Sequence, residues 1–373
     1  MTHSSKGLNM PSIIKISTLA AALFCANSFA ADLAVTESTK SQVYQGIKNN
    51  LEEHLFELPP RVQGHYGIRQ YRMTGDAKYA NAALVDLYAV TEAQAFYACN
   101  LDKENFIIEQ AEQAISVLGK GPRAKARKKA LQPFPEFIFY TDVLLRYSSR
   151  IDEFGFTGPC HGKLTAVLKK ADLKTGLTDK AMIETWAAQL VNYVYWAKQI
   201  GVGDYLADYK QAFIEVYPDN KDDKLNKKQY RNKLYGMTHF IFAASEYYQH
   251  NVDAKEFAWI LDHFEHNIDR ILEDATDDII AEVGISFLLA GKTDHPVVKK
   301  TQQHIINAFD TKEQIIPSPR GNPDLVIGEH RNVLAMMLLD WPEKLHKGPY
   351  LSELKATKKY LPKQVTPIKR QAK

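Results

Sequence analysis

Residues 281–290 read Ala-Glu-Val-Gly-Ile-Ser-Phe-Leu-Leu-Ala, a segment that is apolar on almost every side and carries a single acid, Glu282. A helix that is apolar all round is buried, and a more amphipathic helix covers it. An amphipathic segment follows at 295–309, after the turn Gly291-Lys292-Thr293-Asp294. The two segments together predict a helical hairpin with one buried and one covering helix.

A polar residue opens a strongly apolar helix at four places along the chain, and a more amphipathic helix follows at three of them. The other openings are Gly64-His65-Tyr66-Gly67-Ile68, Tyr235-Gly236-Met237-Thr238-His239 and Gly328-Glu329-His330. Helical hairpins repeated in this way stack side by side, either as an open solenoid or closed into a ring. No segment alternates with the period of a β-strand. The predicted class is therefore all-α, as an α/α toroid, with an incomplete solenoid as the alternative.

Among the individual helices, the periodicity predicts segments at 227–249 and 351–359. We expect one toroid domain over residues 31–345, after a signal peptide at 1–30 and before a basic tail at 346–373.

In a closed ring the inner helices are parallel, so the residues at their amino-terminal ends collect on one face. The catalytic candidates are His239, Glu282, His330 and Tyr235, and the substrate-binding candidates are His65, Arg69, Asp324, Glu329 and Arg331. Four unrelated helix starts, with each side chain in a buried or capping role, are the simpler alternative.

These residue types fit two ways of cleaving a polysaccharide. A hydrolase needs paired carboxylates, and a lyase needs a base such as His or Tyr with a group that neutralises a uronate. A histidine near neutrality can take a proton, and Arg69 or Arg331 could hold a carboxylate in a bidentate pair. The spacing does not select one reaction.

Several of these motifs resemble those of an uncharacterised family of exported bacterial proteins. They are Tyr66-Gly67-Ile68-Arg69, Thr74-Gly75-Asp76-Ala77-Lys78-Tyr79, Tyr235-Gly236-Met237-Thr238-His239, Ala281-Glu282-Val283-Gly284 and Glu329-His330-Arg331. The resemblance covers most of the mature chain and brings no known activity.

The layout Tyr71-x-x-Thr74-Gly75-Asp76-x-x-Tyr79 is also distantly similar to one found in α/α-toroid carbohydrate-active proteins. The motif marks a hairpin more than a catalytic site, so the similarity implies a toroid of helical hairpins and only leans toward glycans as ligands.

The amino terminus has the layout of a secretory signal peptide. Lys6 and Lys15 precede an apolar run at 16–25, and Ala30 ends a stretch of small residues. The start is either Met1 or Met10. We therefore expect a periplasmic or secreted protein, cleaved near Ala30, with no transmembrane anchor in the mature chain.

Removal of the signal peptide leaves two cysteines, Cys99 and Cys160. In an oxidising compartment two remaining thiols favour a disulfide, although spacing alone does not show that they meet. A Cys160-His161 nucleophile pair is a weaker alternative.

Charge and composition exclude some functions. The 47 Lys and Arg nearly balance the 44 Asp and Glu, so the net charge alone does not indicate a nucleic-acid-binding protein. However, the run 120–129 is basic without any acid and could meet an acidic polysaccharide, an envelope lipid or nucleic acid. A solvated linker is the plainer interpretation of that run.

Cofactor signals are absent from the sequence. Gly201-Val202-Gly203 lacks a third glycine and there is no phosphate-binding Gly-Lys-Ser/Thr loop, so no nucleotide cofactor is expected. His263 and His266 lie three apart on one helix, and the cluster at 219–223 lacks the glycine of a calcium loop, so we predict no metal.

The sequence thus predicts a lyase or hydrolase that acts on a glycan or cell-envelope polymer, at the amino-terminal ends of the inner helices. A non-catalytic envelope-binding or assembly protein on the same scaffold is the alternative. We expect a monomer without cofactors, whose partner is an acidic polysaccharide or envelope polymer.

Overall fold

The computed structural model describes residues 35–368, which belong to one unit. The described chain is predominantly helical, so the prediction of an all-α class is confirmed. The predicted signal peptide at 1–30 lies outside the described residues.

Sixteen α-helices follow one another along the described chain. They are α1 (Glu37–Glu53), α2 (Pro60–Thr74), α3 (Ala80–Cys99), α4 (Phe106–Ser116), α5 (Pro122–Leu131), α6 (Arg146–Glu153), α7 (His161–Lys170), α8 (Leu173–Thr178), α9 (Lys180–Gln199), α10 (Leu206–Val216), α11 (Lys227–Ala244), α12 (Ala258–His266), α13 (Ile268–Asp274), α14 (Asp277–Leu289), α15 (Pro296–Ala308) and α16 (Leu325–Leu339).

The remaining regular segments are short. A π-helical segment, Phe139–Leu145, runs directly into α6. The 3₁₀ turns are Leu55–Glu57, Ala77–Tyr79, Asp219–Lys224 and Lys358–Tyr360. Two-residue strands β1 (Phe156–Thr157) and β2 (Thr366–Pro367) pair antiparallel. Within residues 35–368 no helix combines the length and apolar character needed to cross a bilayer.

The apolar segment 281–290 lies at the buried centre of its hairpin. Every residue of α14 from Ile279 to Leu289 is buried, and α15 packs along it. Gly284 permits the close approach, because a Cβ there would lie 2.4 Å from Thr301 Oγ1 and 2.5 Å from Leu338 Cδ1. A larger residue at 284 would push α14 away from both α15 and α16.

The helices contact one another in a definite order. α2 packs against both α3 and α16, α16 against α14, α14 against α11, and α11 against α9. α9 contacts the π-helical segment and α6, and α6 contacts α3. Side chains from most of these helices line a single cavity.

Two predicted helices differ from the structure. The segment 227–249 is helical only to Ala244, because Glu246, Tyr247 and Tyr248 adopt positive φ angles of 50°, 56° and 76°. Non-glycine residues rarely occupy this left-handed region, and three in succession end a helix. The helix predicted at 351–359 is wrong, since the structure has turns there before the 3₁₀ turn at Lys358–Tyr360.

The basic run also has a defined structure. Residues 122–131 form α5, which packs against α9 and buries Ala124, Ala130 and Leu131. The charged side chains of the run are therefore held on a helix.

Residues 346–368 follow the surface and pack against the same helices. Leu351 is fully buried with Ile68, Leu87 and Phe154, and its amide donates to the Phe154 carbonyl at 3.1 Å. The segment around Gly348 is thus attached to α2, α3 and α6.

A disulfide joins Cys99, at the end of α3, to Cys160, immediately before α7. The linked residues are 61 apart in sequence. A cross-link over a separation of this size removes many conformations from the unfolded chain.

Replacing both cysteines by serine should lower the free energy of unfolding by about 4 kcal/mol, the chain-entropy value for such a loop. Urea unfolding of the oxidised wild type and of the double variant measures the difference. The wild type in reducing agent is the control, and it should match the variant. An unchanged unfolding midpoint would contradict a stabilising disulfide.

Leu351→Ala should lower the free energy of unfolding by about 3 kcal/mol, because it opens a cavity in a fully packed cluster. Val117→Ala is the matched control: Val117 is 71% exposed, and its truncation should cost less than about 0.5 kcal/mol. Equal losses in the two variants would show that the 346–368 segment does not support the fold.

Candidate active site

A cavity of about 470 Å³ opens between α2, α3, α6, α9, α11 and α16. Its volume falls in the range of about 300–1,000 Å³ that is usual for small-ligand sites. Aromatic and charged side chains dominate the lining. The π-helical segment contributes Asp142, which fits the frequent occurrence of such segments at functional sites.

Five of the predicted residues line this cavity, namely His65, Arg69, Tyr235, His239 and His330. Glu282 and Glu329 are buried directly behind the histidines, at 0% and 3% exposure. The structure therefore brings together seven of the nine residues proposed from the inner-helix openings.

The other two predicted residues lie elsewhere. Asp324 is the exposed N-cap of α16, where its carboxylate accepts from the Ile327 amide at 2.9 Å. Arg331 donates from Nε to the Ile316 carbonyl at 3.2 Å and does not line the cavity. Their contacts are those of a helix cap and a loop anchor.

Two glutamates and two histidines form a chain of contacts beside the cavity. Glu329 Oε1 lies 2.7 Å from His65 Nδ1, and His65 Nε2 lies 3.4 Å from His330 Nδ1. His330 Nε2 then lies 3.5 Å from Glu282 Oε1. A chain of groups that both donate and accept protons can pass a proton between its ends.

Burial governs protonation in this chain. It raises the pKa of Glu329 to about 7 and raises the pKa of Glu282, because a buried carboxylate loses its hydration. Burial also lowers the pKa of His65, and the nearby Arg69 charge adds to this. Glu282 Oε2 accepts the Thr238 hydroxyl at 2.7 Å, which fixes the orientation of the carboxyl group.

His239 belongs to a second cluster on the opposite side of Glu282. Its Nδ1 lies 2.9 Å from Asn192 Oδ1, and the same oxygen accepts the Tyr247 hydroxyl. Because the amide oxygen only accepts, Nδ1 carries the proton, and Nε2 is left with its lone pair. That Nε2 lies 3.9 Å from Glu282 Oε1.

His239 is neutral at physiological pH. Burial lowers its pKa to about 3, and the charges of His330 and Arg69 contribute. Burial likewise raises the pKa of Tyr247 and of Tyr235 well above the usual value, so both phenols keep their protons. The cavity thus holds an imidazole that can accept a proton and two phenols that can donate one.

Tyr235 connects the two clusters. Its hydroxyl donates to Asp278 Oδ2 at 2.9 Å and lies 3.4 Å from His330 Nε2. Its ring centroid is 5.4 Å from that of His239. The phenol is therefore adjacent to the proton-passing chain and to the neutral imidazole.

The lining has more positive than negative charges. It contains five arginines, Arg61, Arg69, Arg72, Arg146 and Arg150, and three carboxylates, Asp86, Asp142 and Glu153. The excess is two positive charges when the histidines are neutral. An excess of one sign inside a cleft favours a ligand of the other sign.

All three carboxylates are already paired with arginines. Glu153 lies 2.9 Å from Arg72 and 2.8 Å from Arg150. The same Arg150 lies 2.8 Å from Asp86. Asp142 in turn pairs with Arg146 at 3.4 Å. These three arginines are thereby neutralised by the protein itself.

Arg61 and Arg69 make no ion pair within the described part of the chain. Arg69 is only 7% exposed, its Nε has no hydrogen-bond partner, and its guanidinium lies 5.5 Å from the centroid of Tyr248. A buried charge without a counterion is costly. An anionic ligand in the cavity would supply that counterion.

Sequence reasoning missed several lining residues, among them Asn192, Tyr247, Arg150 and Glu153. Asn192 is a polar residue within the apolar run Val191–Trp196, and that contrast was an available signal. Tyr247 had no signal, because its position depends on the left-handed turn at 246–248.

A separate acidic cluster lies behind α11. Asp219, Asp222 and His263 bring ligand atoms within 4.8 Å of one another. The buried Lys233 ammonium already contacts Asp219 at 2.6 Å and Asp222 at 2.7 Å. A lysine therefore supplies the positive charge that these acids require. His266, which the sequence pairs with His263, is exposed.

The structure thus defines a predominantly helical protein with a cationic, histidine-containing cavity. The chain belongs to a family described as a domain of unknown function (DUF3541), whose model matches residues 40–368. The predicted membership of an uncharacterised family is therefore confirmed. Comparisons with curated proteins and with solved structures find no match.

The raised pKa of Glu329 predicts a pH dependence of stability. Between about pH 5 and about pH 7 the folded protein keeps a proton on Glu329 that the unfolded chain releases. A rise in pH through this window therefore removes about 3 kcal/mol of stability that the Glu329→Gln variant does not lose.

Urea unfolding of the wild type and of Glu329→Gln across this pH window measures the effect. The free energy of unfolding of Glu329→Gln minus that of the wild type should rise by about 3 kcal/mol between about pH 5 and about pH 7. Glu104→Gln, at an exposed position, is the control. Parallel pH profiles for all three proteins would contradict a raised pKa at Glu329.

Proposed function

We propose that this chain is an exported α/α-toroid enzyme that cleaves a uronate-containing glycan by β-elimination. The order of helix contacts, α2–α3–α6–α9–α11–α14–α16, which returns to α2, supports the toroid. The charged start, apolar run and small residues at 1–30 support export to the periplasm or the exterior. The disulfide fits an oxidising compartment.

One observation carries the proposed reaction: the neutral His239 shares a cavity with Arg69, a buried arginine without an ion pair. A lyase needs these two features together. The cation neutralises the carboxylate of the uronate, which acidifies the neighbouring C5–H bond. The neutral imidazole then accepts that proton.

The step balances without any further reactant. The C5–H bond breaks and its proton goes to His239 Nε2. The C5 electrons form a C4=C5 double bond, and the C4–O bond to the next sugar breaks. Tyr235 gives its proton to the departing oxygen.

The contacts around these groups support their roles. The Asn192 amide nitrogen has no hydrogen-bond partner in the described chain, so it can donate to the substrate carboxylate. Glu282 lies between His239 and His330, which in turn lies beside Tyr235. A side-chain shift that closes the 3.9 Å separation between His239 Nε2 and Glu282 Oε1 would complete a path that returns the proton from the imidazole to the phenol.

The hydrolase alternative has less support. A hydrolase of the usual type needs two carboxyl groups that flank the scissile bond, one of them free to act as an acid. The three carboxylates that line the cavity are each held by arginine, and Glu282 is fully buried. Non-catalytic binding of an envelope polymer is the second candidate, because the basic helix α5 adjoins the cavity wall.

Incubation with polygalacturonate and with alginate tests the proposal. The expected product carries a new double bond conjugated to its carboxylate, which absorbs in the ultraviolet. His239→Ala and Tyr235→Phe should each reduce the rate by about 10²–10⁴-fold, the usual contribution of a general base or acid. His54→Ala and Tyr88→Phe change residues that do not line the cavity, and both variants should retain the wild-type rate.

Circular dichroism should show that all four variants keep the helical fold. New reducing ends without ultraviolet absorbance would indicate a hydrolase. Binding of either polymer without any product would support the non-catalytic alternative.

A further inference from the structure

The helix α5 carries positive charge without any internal compensation. The segment 120–129 contains Lys120, Arg123, Lys125, Arg127, Lys128 and Lys129 and no acid. None of these side chains makes an ion pair with a residue that the structure describes. Like charges so close together repel, so a partner of opposite charge would stabilise the helix surface.

This helix is attached directly to the wall of the cavity. Arg127 donates from Nε to the Thr185 carbonyl at 3.2 Å and from Nη2 to Gln189 Oε1 at 2.9 Å. Its guanidinium also stacks on the buried Trp186, 4.0 Å from the ring centroid. Gln189 itself lines the cavity. The α5–α9 contact therefore forms part of the cavity rim.

Helical geometry separates the basic residues into two flanks. Arg123 precedes Arg127 by one turn and so lies on the same side of α5. Lys125 and Lys129 project from the opposite flank and are exposed. Arg123 is also exposed, and its charge partly opposes the effect of burial on the pKa of Tyr235. Arg123 therefore lies on the side of α5 that Arg127 attaches to α9, just outside the cavity lining, and the two lysines lie on the other side.

A cavity of about 470 Å³ encloses only a short piece of a polymer. The rest of the chain must leave the cavity across its rim. A polyuronate has one negative charge per sugar, so a rim with an unpaired arginine is a favourable exit.

We propose that the Arg123 flank of α5 is a second binding site, which holds anionic sugar units of the same polymer outside the cavity. This inference rests on the proposed function for the identity of the polymer. The Arg123 guanidinium binds a uronate carboxylate, and Arg127 fixes the helix against α9. The enzyme therefore prefers long polyuronate chains to short fragments.

Binding measurements on single-charge variants test this site. Arg123→Gln, Lys125→Gln and Lys129→Gln each remove one charge from the same helix and keep a good helix former. The probes are polygalacturonate and its trimer, measured by calorimetry with His239→Ala as the background to prevent turnover. Arg123→Gln should weaken polymer binding about tenfold, the loss expected for one charge-assisted hydrogen bond. The affinity of the Arg123→Gln protein for the trimer should not change.

The two lysine variants are the matched controls and should bind the polymer within about twofold of the background protein. Equal weakening in all three variants would overturn the second site, because it would show only a general attraction to positive charge. Unchanged polymer binding by Arg123→Gln, or no polymer binding by the background protein, would overturn it too.

Other polyanions provide the remaining comparison. A DNA duplex or an anionic phospholipid vesicle that binds more tightly than polygalacturonate, with the same loss in Arg123→Gln, would overturn the assignment to a glycan. The outcome of the binding test can be distinguished from the outcome of the lyase assay. If the binding pattern holds and the active wild type releases no unsaturated product, the second site stands and the lyase fails.

Discussion

The geometry of the cavity depends on one carboxylate, Glu153, held between two arginines. Burial alone would raise its pKa, but Arg72 and Arg150 lower the pKa to about 2, so the carboxylate stays ionised. Arg150 also contacts Asp86 on α3, and Arg72 donates to the carbonyls of Tyr247 and Gly348. Loss of one member would leave its partner as an uncompensated buried charge, which is strongly destabilising. This network fixes α2, α3, α6 and the turn after α11 relative to one another.

Carboxylates of the protein neutralise Arg72 and Arg150, whereas they leave Arg69 unneutralised. It lies one turn from Arg72 on α2, in the same cavity, yet it has no carboxylate partner. The difference between two neighbouring arginines is therefore set by α6, which supplies Glu153 to only one of them. In the proposed function, Arg69 binds the anion, while Arg72 maintains the geometry of the cavity.

The sequence predicted the helical class and the buried inner helices because their apolar residues are consecutive, as in α14. It could not predict the end of α11, since the left-handed residues 246–248 are not glycines and carry no turn signal. It also failed at 351–359, where apolar residues at helical spacing pack as turns. Leu351 is buried there by contact with α2, α3 and α6, and such distant packing overrides local preference.

The residues of the candidate site could also be predicted only in part. The sequence identified four residues because each is polar and precedes a strongly apolar stretch, namely His65, His239, Glu282 and His330. The structure places all four inside their helices rather than at the openings, and His239 lies in the second half of α11. Asp324 and Arg331 met the same criterion, yet their contacts are a cap and a loop anchor. Asn192 and Glu153 act through contacts with residues that are distant in sequence, which a periodic pattern does not reveal.

The attachment of Gly348 to Arg72 links the segment that follows α16 to the wall of the cavity. The Gly348 carbonyl accepts from Arg72 Nε at 2.8 Å, and the Gly348 amide donates to Gln249 Oε1 at 2.8 Å. Both partners lie beside the turn that presents Tyr247, and Arg72 also donates to the Tyr247 carbonyl. The sixteen helices can therefore pack against one another and still leave the cavity wall incomplete, because the last contacts come from a non-helical segment.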